Sequence, residues 1–344
     1  MSGKKLLLIT FDYELFLGER SGTVQQCLID PTDKLLACLD KYDYKAFFFI
    51  DTVYMRRLKE IANLHSPAKA DLGAITNQLI QMVKNGHEIH PHIHPHWMDA
   101  IYDPKINEWC LSEKRYYTFT SLSEEQRKDL FDHSITFIRS VLELAKRTQP
   151  IDSYRAGGWS IQPFENFKPH FQKHGIKNEF SVMPGRYFYS DAHQFDFRNA
   201  PADIQVYPFS QDICVKDDKG FFREWTISSL PMTKKQEWFD FKISGLLRQL
   251  RITRKFGGST VNTVIKEEGD LYSKDKVPRQ IASFEGLNPY RVIRYLREIK
   301  KLNYFHFISH PKLINGFELR MMGILFRSLH KSPRLETDFR KSAL

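Results

Sequence analysis

Five of the chain's thirteen histidines fall within eleven consecutive residues, in HEIHPHIHPHW from His87 to Trp97. Imidazole is the commonest protein ligand for zinc and similar divalent ions, and a catalytic site needs about three protein ligands with one coordination position open. Two of these histidines with one carboxylate meet that need, whereas a lone histidine would be better read as packing. Fully extended, His90, His92, His94 and His96 share one face, because side chains alternate along a strand. His92 and His96 would then lie ~13 Å apart, too far for one ion with bonds near ~2.1 Å, which favours His92 with His94. Coiled into a helical turn after His92, the four-residue spacing brings His92 and His96 within ~6 Å. Pro95 is tolerated in a first helical turn, although it biases His94 away from helix. Local rules leave the pair open.

The elements around the cluster point to an α/β protein. Short apolar runs alternate with amphipathic stretches: KLLLITFD (5–12) and KAFFFIDT (45–52) read as buried strands, and 31–42 and 72–85 as helices. The clearest helix is 121–147, where Ser123 with Gln126 makes a capping box and Leu130, Ile135, Ile138, Val141 and Leu142 form an apolar face. Residues 290–302 read as a helix leading into the strand NYFHFISHP. Residues 257–278 are polar and read as an irregular insertion. Four strand candidates end on polar residues: Asp12 with Glu14, the histidines near 92, Arg155, and His310. The C-terminal ends of parallel strands face the active site in α/β barrels and open sheets, so four distant segments are expected to converge.

Composition narrows the class. The 344 residues are 42% hydrophobic and 27% charged, enough for a sizeable core, and no stretch approaches the ~18 apolar residues of a membrane span. Cys27, Cys38, Cys110 and Cys214 are scattered, without CxxC spacing, which predicts reduced thiols. The apolar run at the N-terminus is too short and too soon acidic for a signal peptide, so a cytoplasmic location is expected. Net charge is +10, much of it in 248–255, 291–301 and the tail from Arg327 to Arg340. Solvated helix faces explain such charge better than a nucleic-acid surface, and no nucleic-acid partner is expected. They explain it better than a dedicated membrane patch too, and a peripheral membrane contact through the basic C-terminal region is the less favoured alternative.

In this order along the chain, TFDYE (10–14), GHEIHPHIHPHW (86–97), YRAGGWS (154–160) and FISHP (307–311) resemble the motifs of the polysaccharide deacetylase family, also called NodB homology or carbohydrate esterase family four. The resemblance spans residue 5 to about 313. It implies a distorted (β/α) barrel of about seven parallel strands as one catalytic domain over 1–313, followed by a basic extension over 314–344. It implies one divalent metal, zinc first, with cobalt, nickel or manganese as alternatives.

The resemblance assigns roles residue by residue. Asp12 matches the catalytic base, Arg155 the arginine that orients it, and His310 the histidine that protonates the leaving nitrogen. The family's H-x3-H motif falls on His92 and His96. The usual metal-binding Asp is Tyr13 here, so the third ligand moves to Glu14, which shares a strand face with Asp12. The arginine motif carries Gly157 and Gly158 where family members have Pro. His87, His90 and His94 are read as supporting or structural, and Trp97, Trp159 and Tyr13 as substrate contacts. The implied activity is removal of an N-acetyl group from an amino sugar or glycan precursor. A deformylase or other amidohydrolase with the same site, and a catalytically silent glycan-binding protein, are the alternatives. Retention of Asp12, Arg155 and His310 counts against the silent reading, because binding alone needs no paired acid and base.

Overall fold

A computed structural model describes residues 5–113, 115–190, 194–250, 279–330 and 335–341. The insertion expected at 257–278 lies outside the described residues. The strands of the main sheet are β1 (Lys5–Tyr13), β2 (Phe47–Asp51), β3 (Glu88–Ile93), β4 (Ser153–Ala156), β5 (Asn178–Glu179), β6 (Val206–Phe209), β7 (Phe222–Trp225), β8 (Tyr304–Ser309) and β9 (Leu335–Glu336). The spatial order is β6-β7-β5-β4-β3-β2-β1-β8, with β9 paired to β1. All neighbours from β7 to β8 in that order run parallel, and β6 is antiparallel. Seven neighbouring parallel strands, from β7 to β8 in that order, therefore form the body of the nine-stranded curled sheet, and β9 also runs parallel to β1.

The two flanks of this sheet meet through irregular backbone just beyond β7. Ile227 N donates to Val182 O (2.8 Å) after β5, and Ser228 N to His306 O (3.4 Å) in β8. His306 N returns a bond to Ser228 Oγ (2.9 Å). The result is the expected α/β fold, a distorted barrel of parallel strands.

Helices α1 (Asp30–Lys41), α2 (Thr52–Ala62), α3 (Ser66–Lys84), α4 (Glu124–Ala145), α5 (Lys168–His174), α6 (Lys234–Gln249), α7 (Pro289–Lys301) and α8 (Gly316–His330) complete the fold. The capping box at α4 forms as its sequence predicts: Gln126 N donates to Ser123 Oγ (3.2 Å) and Ser123 N to Gln126 Oε1 (2.9 Å).

Period-two alternation sorts the strand residues into two cores. Leu7, Ile9 and Phe11 of β1, Phe48 and Ile50 of β2, and Phe305 and Phe307 of β8 belong to the larger apolar cluster that also holds the buried helix residues. The alternate set, Leu6, Leu8, Phe47, Phe49, Phe180, Trp225 and Tyr304, forms a second, compact cluster. Following that second set along β1 leads from Leu6 and Leu8 to Thr10 and Asp12. On β2 it leads to Asp51, and on β3 to His90 and His92. The same interior is thus apolar at the strand starts and polar at their C-terminal ends.

The chain after residue 313, expected as a basic extension, is built into this body. Met322, Leu325, Phe326 and Leu329 of α8 are buried, and Phe326 stacks on Tyr44 with ring centroids 4.3 Å apart. Phe339 joins the second cluster, with centroids 5.4 Å from Phe47, 5.6 Å from Phe180 and 4.7 Å from Trp225. Arg340 beside it pairs with Glu88 (2.7 Å) and Asp152 (2.7 Å), so this tail charge is turned inward to acids of the same chain. Among the described residues no helix is long and apolar enough to cross a membrane. Truncating the Phe339 ring leaves a cavity among aromatic residues. Phe339→Ala is expected to lower unfolding free energy by about 3–5 kcal/mol in urea titration, whereas a loss below ~1 kcal/mol would mean the ring does not support the interior.

Candidate active site

The polar ends of β1, β3, β4 and β8 meet in one place, as strand order requires. Asp12 is the last inward residue of β1, and Glu14 follows two positions later on the same face. Strand register sets Asp51 beside His92 and His92 beside Arg155. His310 is the first residue after β8.

Arg155 is fully buried and organises the floor of the site. Its Nη1 donates to Asp12 Oδ1 (2.6 Å), its Nη2 to Thr10 Oγ1 (2.7 Å), and its Nε to Phe180 O (3.0 Å). The guanidinium lies 4.4 Å from the centre of the Phe49 ring, a cation–π contact. His306 accepts a fourth bond from Nη2 at Nε2 (3.2 Å). Burial, then the Arg155 charge, pushes His306 down to about 3, so it is neutral and can accept. Burial would raise the Asp12 carboxyl, but Arg155, with His92 and His310, holds it below the usual carboxylate value. Asp12 is therefore ionised at neutral pH.

His310 is held on the opposite side. Glu285 Oε1 accepts from His310 N (2.7 Å) and lies 2.8 Å from Nδ1. That leaves Nε2 facing Asp12 Oδ2 (3.6 Å) and Glu14 Oε1 (3.5 Å). Burial would lower the imidazole's pKa, but Glu285, with Glu14 and Asp12 beyond it, raises it above the ordinary histidine value.

Three ligand-type atoms converge between these groups. Oxygen or nitrogen atoms of Glu14, His92 and His94 lie within 4.8 Å of one another, and all three residues are buried. Glu14 Oε2 is 2.6 Å from His94 Nε2 and 3.4 Å from His92 Nε2, and the two Nε2 atoms are 2.9 Å apart. His92 Nδ1 lies 2.7 Å from Arg155 O. A carbonyl only accepts, so the His92 proton sits on Nδ1 and Nε2 presents a lone pair to the cluster. Lys312 Nζ donates to Glu14 Oε1 (2.9 Å) and Leu15 O (2.6 Å), fixing the carboxylate with Oε2 toward the histidines. Burial would raise Glu14, but Lys312 and then His94 hold it well below the usual range.

These donors fit a divalent ion. Three ligand-type atoms, Glu14 Oε2 and the Nε2 atoms of His92 and His94, face one another in a buried cluster. Ligands on a tetrahedral zinc with ~2.1 Å bonds stand about 3.4 Å apart. The observed separations reach that spacing if the cluster opens by less than an ångström.

His96, placed by the resemblance in the ligand set, is not one of these three. The reason is local: β3 runs through Ile93 and His94 stays extended (φ −111°, ψ 94°), with a 3-10 turn starting only at Pro95. Alternation thus keeps His92 and His94 on one face, as extended geometry predicts. His96 lies on the far side of His94, ring centroids 5.0 Å apart, and stacks on Tyr117 at 5.3 Å. Both its ring nitrogens are buried without a hydrogen-bond partner among the described residues, and burial with the nearby His94 pushes its pKa well down.

Gly157 makes room for this arrangement. A Cβ there would fall 2.4 Å from Ile93 O and 2.8 Å from His94 Nδ1, so the motif's first glycine is the space His94 occupies. Gly158 and Trp159 follow at φ +59° and +57°, left-handed backbone that is strained for a tryptophan.

Of the proposed substrate contacts, Trp159 lines a cavity among the described residues. Trp97 is fully buried, its indole N–H donates to Asp51, and its ring packs on Tyr54 and Trp109. Tyr13 is also enclosed, and its hydroxyl donates to Gln78 Oε1 (2.8 Å). Both corrections have one cause: these residues point from the strand ends into the helix layer.

Sequence reading missed Glu285, Lys312 and Asp51. Asp51 closes β2 as Asp12 closes β1, so the same end-of-strand signal was present. It caps α2 through Tyr54 N (3.2 Å), and burial raises it to about 6. Glu285 and Lys312 carry no local signal, since an acid in a loop and a lysine after a proline are ordinary surface residues.

Residues 2–154 match the family model for polysaccharide deacetylases. That match covers less than half of the chain and makes this part similar to polysaccharide deacetylases. Among solved structures it is similar to one from Mycobacterium smegmatis described as a candidate polysaccharide deacetylase, at 12% identity and TM-score 0.47, over 97% of this chain and 87% of that one. It is also similar to the peptidoglycan deacetylase PdaC from Bacillus subtilis, at 11% identity and TM-score 0.34, over 97% and 87%. A family 4 carbohydrate esterase from Streptomyces lividans, solved in complex with acetate, matches at 15% identity and TM-score 0.27, over 52% and 63%. No curated protein matches the sequence.

Proposed function

We propose that the protein is a metal-dependent hydrolase that removes an N-acetyl group from an amino sugar or glycan precursor. The observation that carries this reading is the convergence of Glu14, His92 and His94 beside an ionised Asp12 and a carboxylate-backed His310. Glu14, His92 and His94 would hold the ion, and nitrogen and carboxylate donors suit zinc. When bound, the ion supplies Lewis acidity toward the amide carbonyl.

The chain's own residues divide the proton work. Asp12, kept ionised and oriented by Arg155, accepts a proton from the attacking water. His310, its charged form favoured by Glu285, donates one from Nε2 to the departing nitrogen. Two groups whose surroundings push one toward the anion and the other toward the cation supply base and acid at the same pH. The silent-binding alternative leaves this buried Asp12–Arg155 pair and the His310–Glu285 pair without a purpose.

Metal analysis of the purified protein, with acetate release from a panel of N-acetyl amino sugars, tests the proposal. Stoichiometric metal with acetate release is expected, and protein that takes up no divalent metal would exclude the reading. The ligand set is tested separately. His94→Ala is expected to lower metal occupancy about tenfold or more and His96→Ala to leave it largely intact. The reverse result would assign the site to the H-x3-H pair.

A further inference from the structure

Helix α6 is held to the body along one edge. Asp240 is its one buried residue. Asp240 Oδ1 accepts from Asn288 Nδ2 (2.8 Å) and Oδ2 from Arg291 Nη2 (2.7 Å), while Ser244 Oγ accepts from Asn288 Nδ2 (3.2 Å). The outward side is apolar: Trp238, Phe239, Phe241, Leu246 and Leu250, the residue that closes the helix, are between 48% and 63% exposed. Single exposed apolar groups are ordinary, but five on one helix make a patch that marks an interaction surface. Phe239 meets the Tyr290 ring of α7 with centroids 5.3 Å apart, and Ile293, one turn further along α7, is exposed as well.

Lysines run through this patch. At 3.6 residues per turn, Trp238, Lys242, Lys235, Leu246, Phe239 and Leu250 fall in that order within an arc of about 120°. Lys242 Nζ lies 5.6 Å from the centre of the Trp238 ring. Lys234, Lys235 and Lys242 pair with no carboxylate among the described residues. Glu237 is the exposed acid of the helix, against the exposed Lys234, Lys235, Lys242 and Arg248. Whereas Arg340 of the C-terminal tail is turned inward to Glu88 and Asp152, the charge on α6 faces outward.

Aromatic and leucine side chains set among lysines suit a helix lying in a bilayer interface, where the rings enter the headgroup boundary and the lysine stems reach the lipid phosphates. A second copy of this face would set lysines against lysines, while an anionic leaflet brings the opposite sign. We propose that α6 docks the protein on an anionic lipid surface. The same helix walls a cavity of about 660 Å³, which Phe241, Ser244 and Arg248 line together with Trp159 and His310. Docking therefore sets that cavity beside the leaflet, in reach of an acetamido sugar carried on a lipid. The docking rests on α6 alone, and the nature of what enters the cavity rests on the deacetylase reading.

Cosedimentation of the full-length protein with vesicles tests the surface without turnover. Vesicles of phosphatidylcholine alone are compared with vesicles that also hold about 30% phosphatidylglycerol. Binding is expected to be about tenfold or more tighter to the anionic vesicles and to weaken as salt is raised. The pair Lys235→Gln and Lys242→Gln is expected to reduce it about tenfold, and the pair Trp238→Ser and Leu246→Ser to reduce it as much. All four side chains are exposed, so both double variants should unfold with the parent and release acetate from a water-soluble N-acetyl amino sugar at the parent's rate. Equal binding to the two kinds of vesicle, binding that survives both double variants, or no binding at all would overturn the proposal. Self-association that Trp238→Ser with Leu246→Ser disperses, without vesicle binding, would give the face to a second copy and overturn it as well. Acetate release without vesicle binding would remove the docking and leave the deacetylase reading intact. Salt-sensitive vesicle binding without acetate release would uphold the docking and remove that reading.

Discussion

Asp12→Asn is expected to lower kcat for acetate release by roughly 10²- to 10⁴-fold, the range a positioned general base contributes. The substitution is nearly isosteric, and the amide oxygen can still accept from Arg155 Nη1, now 2.6 Å from Oδ1. The barrel floor should therefore persist, so thermal unfolding and metal content serve as controls. What is lost is the acceptor facing His310 Nε2 at 3.6 Å and the ionised state that Arg155 maintains. Turnover within about tenfold of the parent would assign the base elsewhere.

Arg155→Met carries the second large effect, this time on stability. Removing one partner of a buried ion pair leaves the other charge without compensation, at a cost of about 3–5 kcal/mol. Here the guanidinium also satisfies Thr10 Oγ1, Phe180 O and His306 Nε2, so several buried acceptors lose their donor together. Methionine keeps an unbranched apolar stem over the Phe49 ring, which isolates the charge from the packing. Urea unfolding of Arg155→Met, Asp12→Asn and the double variant measures the coupling. The double variant should recover part of the loss, because a neutral amide in place of the Asp12 carboxylate has no charge to strand. A single-variant loss below ~1 kcal/mol would show that Asp12 is neutralised by another group.

Much of the architecture was legible because alternation and capping act over a few residues. The runs 5–12 and 45–52 read as buried strands, and Ser123 with Gln126 marked the start of α4 before any tertiary contact. The polar strand ends at Asp12, His92, Arg155 and His310 announced a convergent site, since parallel strands in one sheet deliver their C-terminal ends to one side.

The histidine pair was different. HEIHPHIHPHW permits both an extended and a coiled course, and the two differ by little in local energy. The choice fell to β3's pairing with β2 and β4, which keeps the chain extended through His94, and to Gly157, whose missing Cβ leaves space for that ring. Trp97 and Tyr13 sit inside motif-like stretches, yet they point into the helix layer because the turn after β3 and the end of β1 face that way.

Sequence by itself determined the fold class and the strand and helix starts, because these follow from short-range periodicity, and it placed Asp12, Arg155 and His310 at strand ends, while the roles expected of them came from the resemblance of their motifs to a known family. Only the tertiary structure decided which imidazoles face Glu14, and that Glu285 and Lys312 hold His310 and Glu14 in place. Glu285 lies 25 residues before His310, and Lys312 lies 298 after Glu14. Over such separations no local rule relates one side chain to another; barrel closure alone brings them within hydrogen-bonding reach.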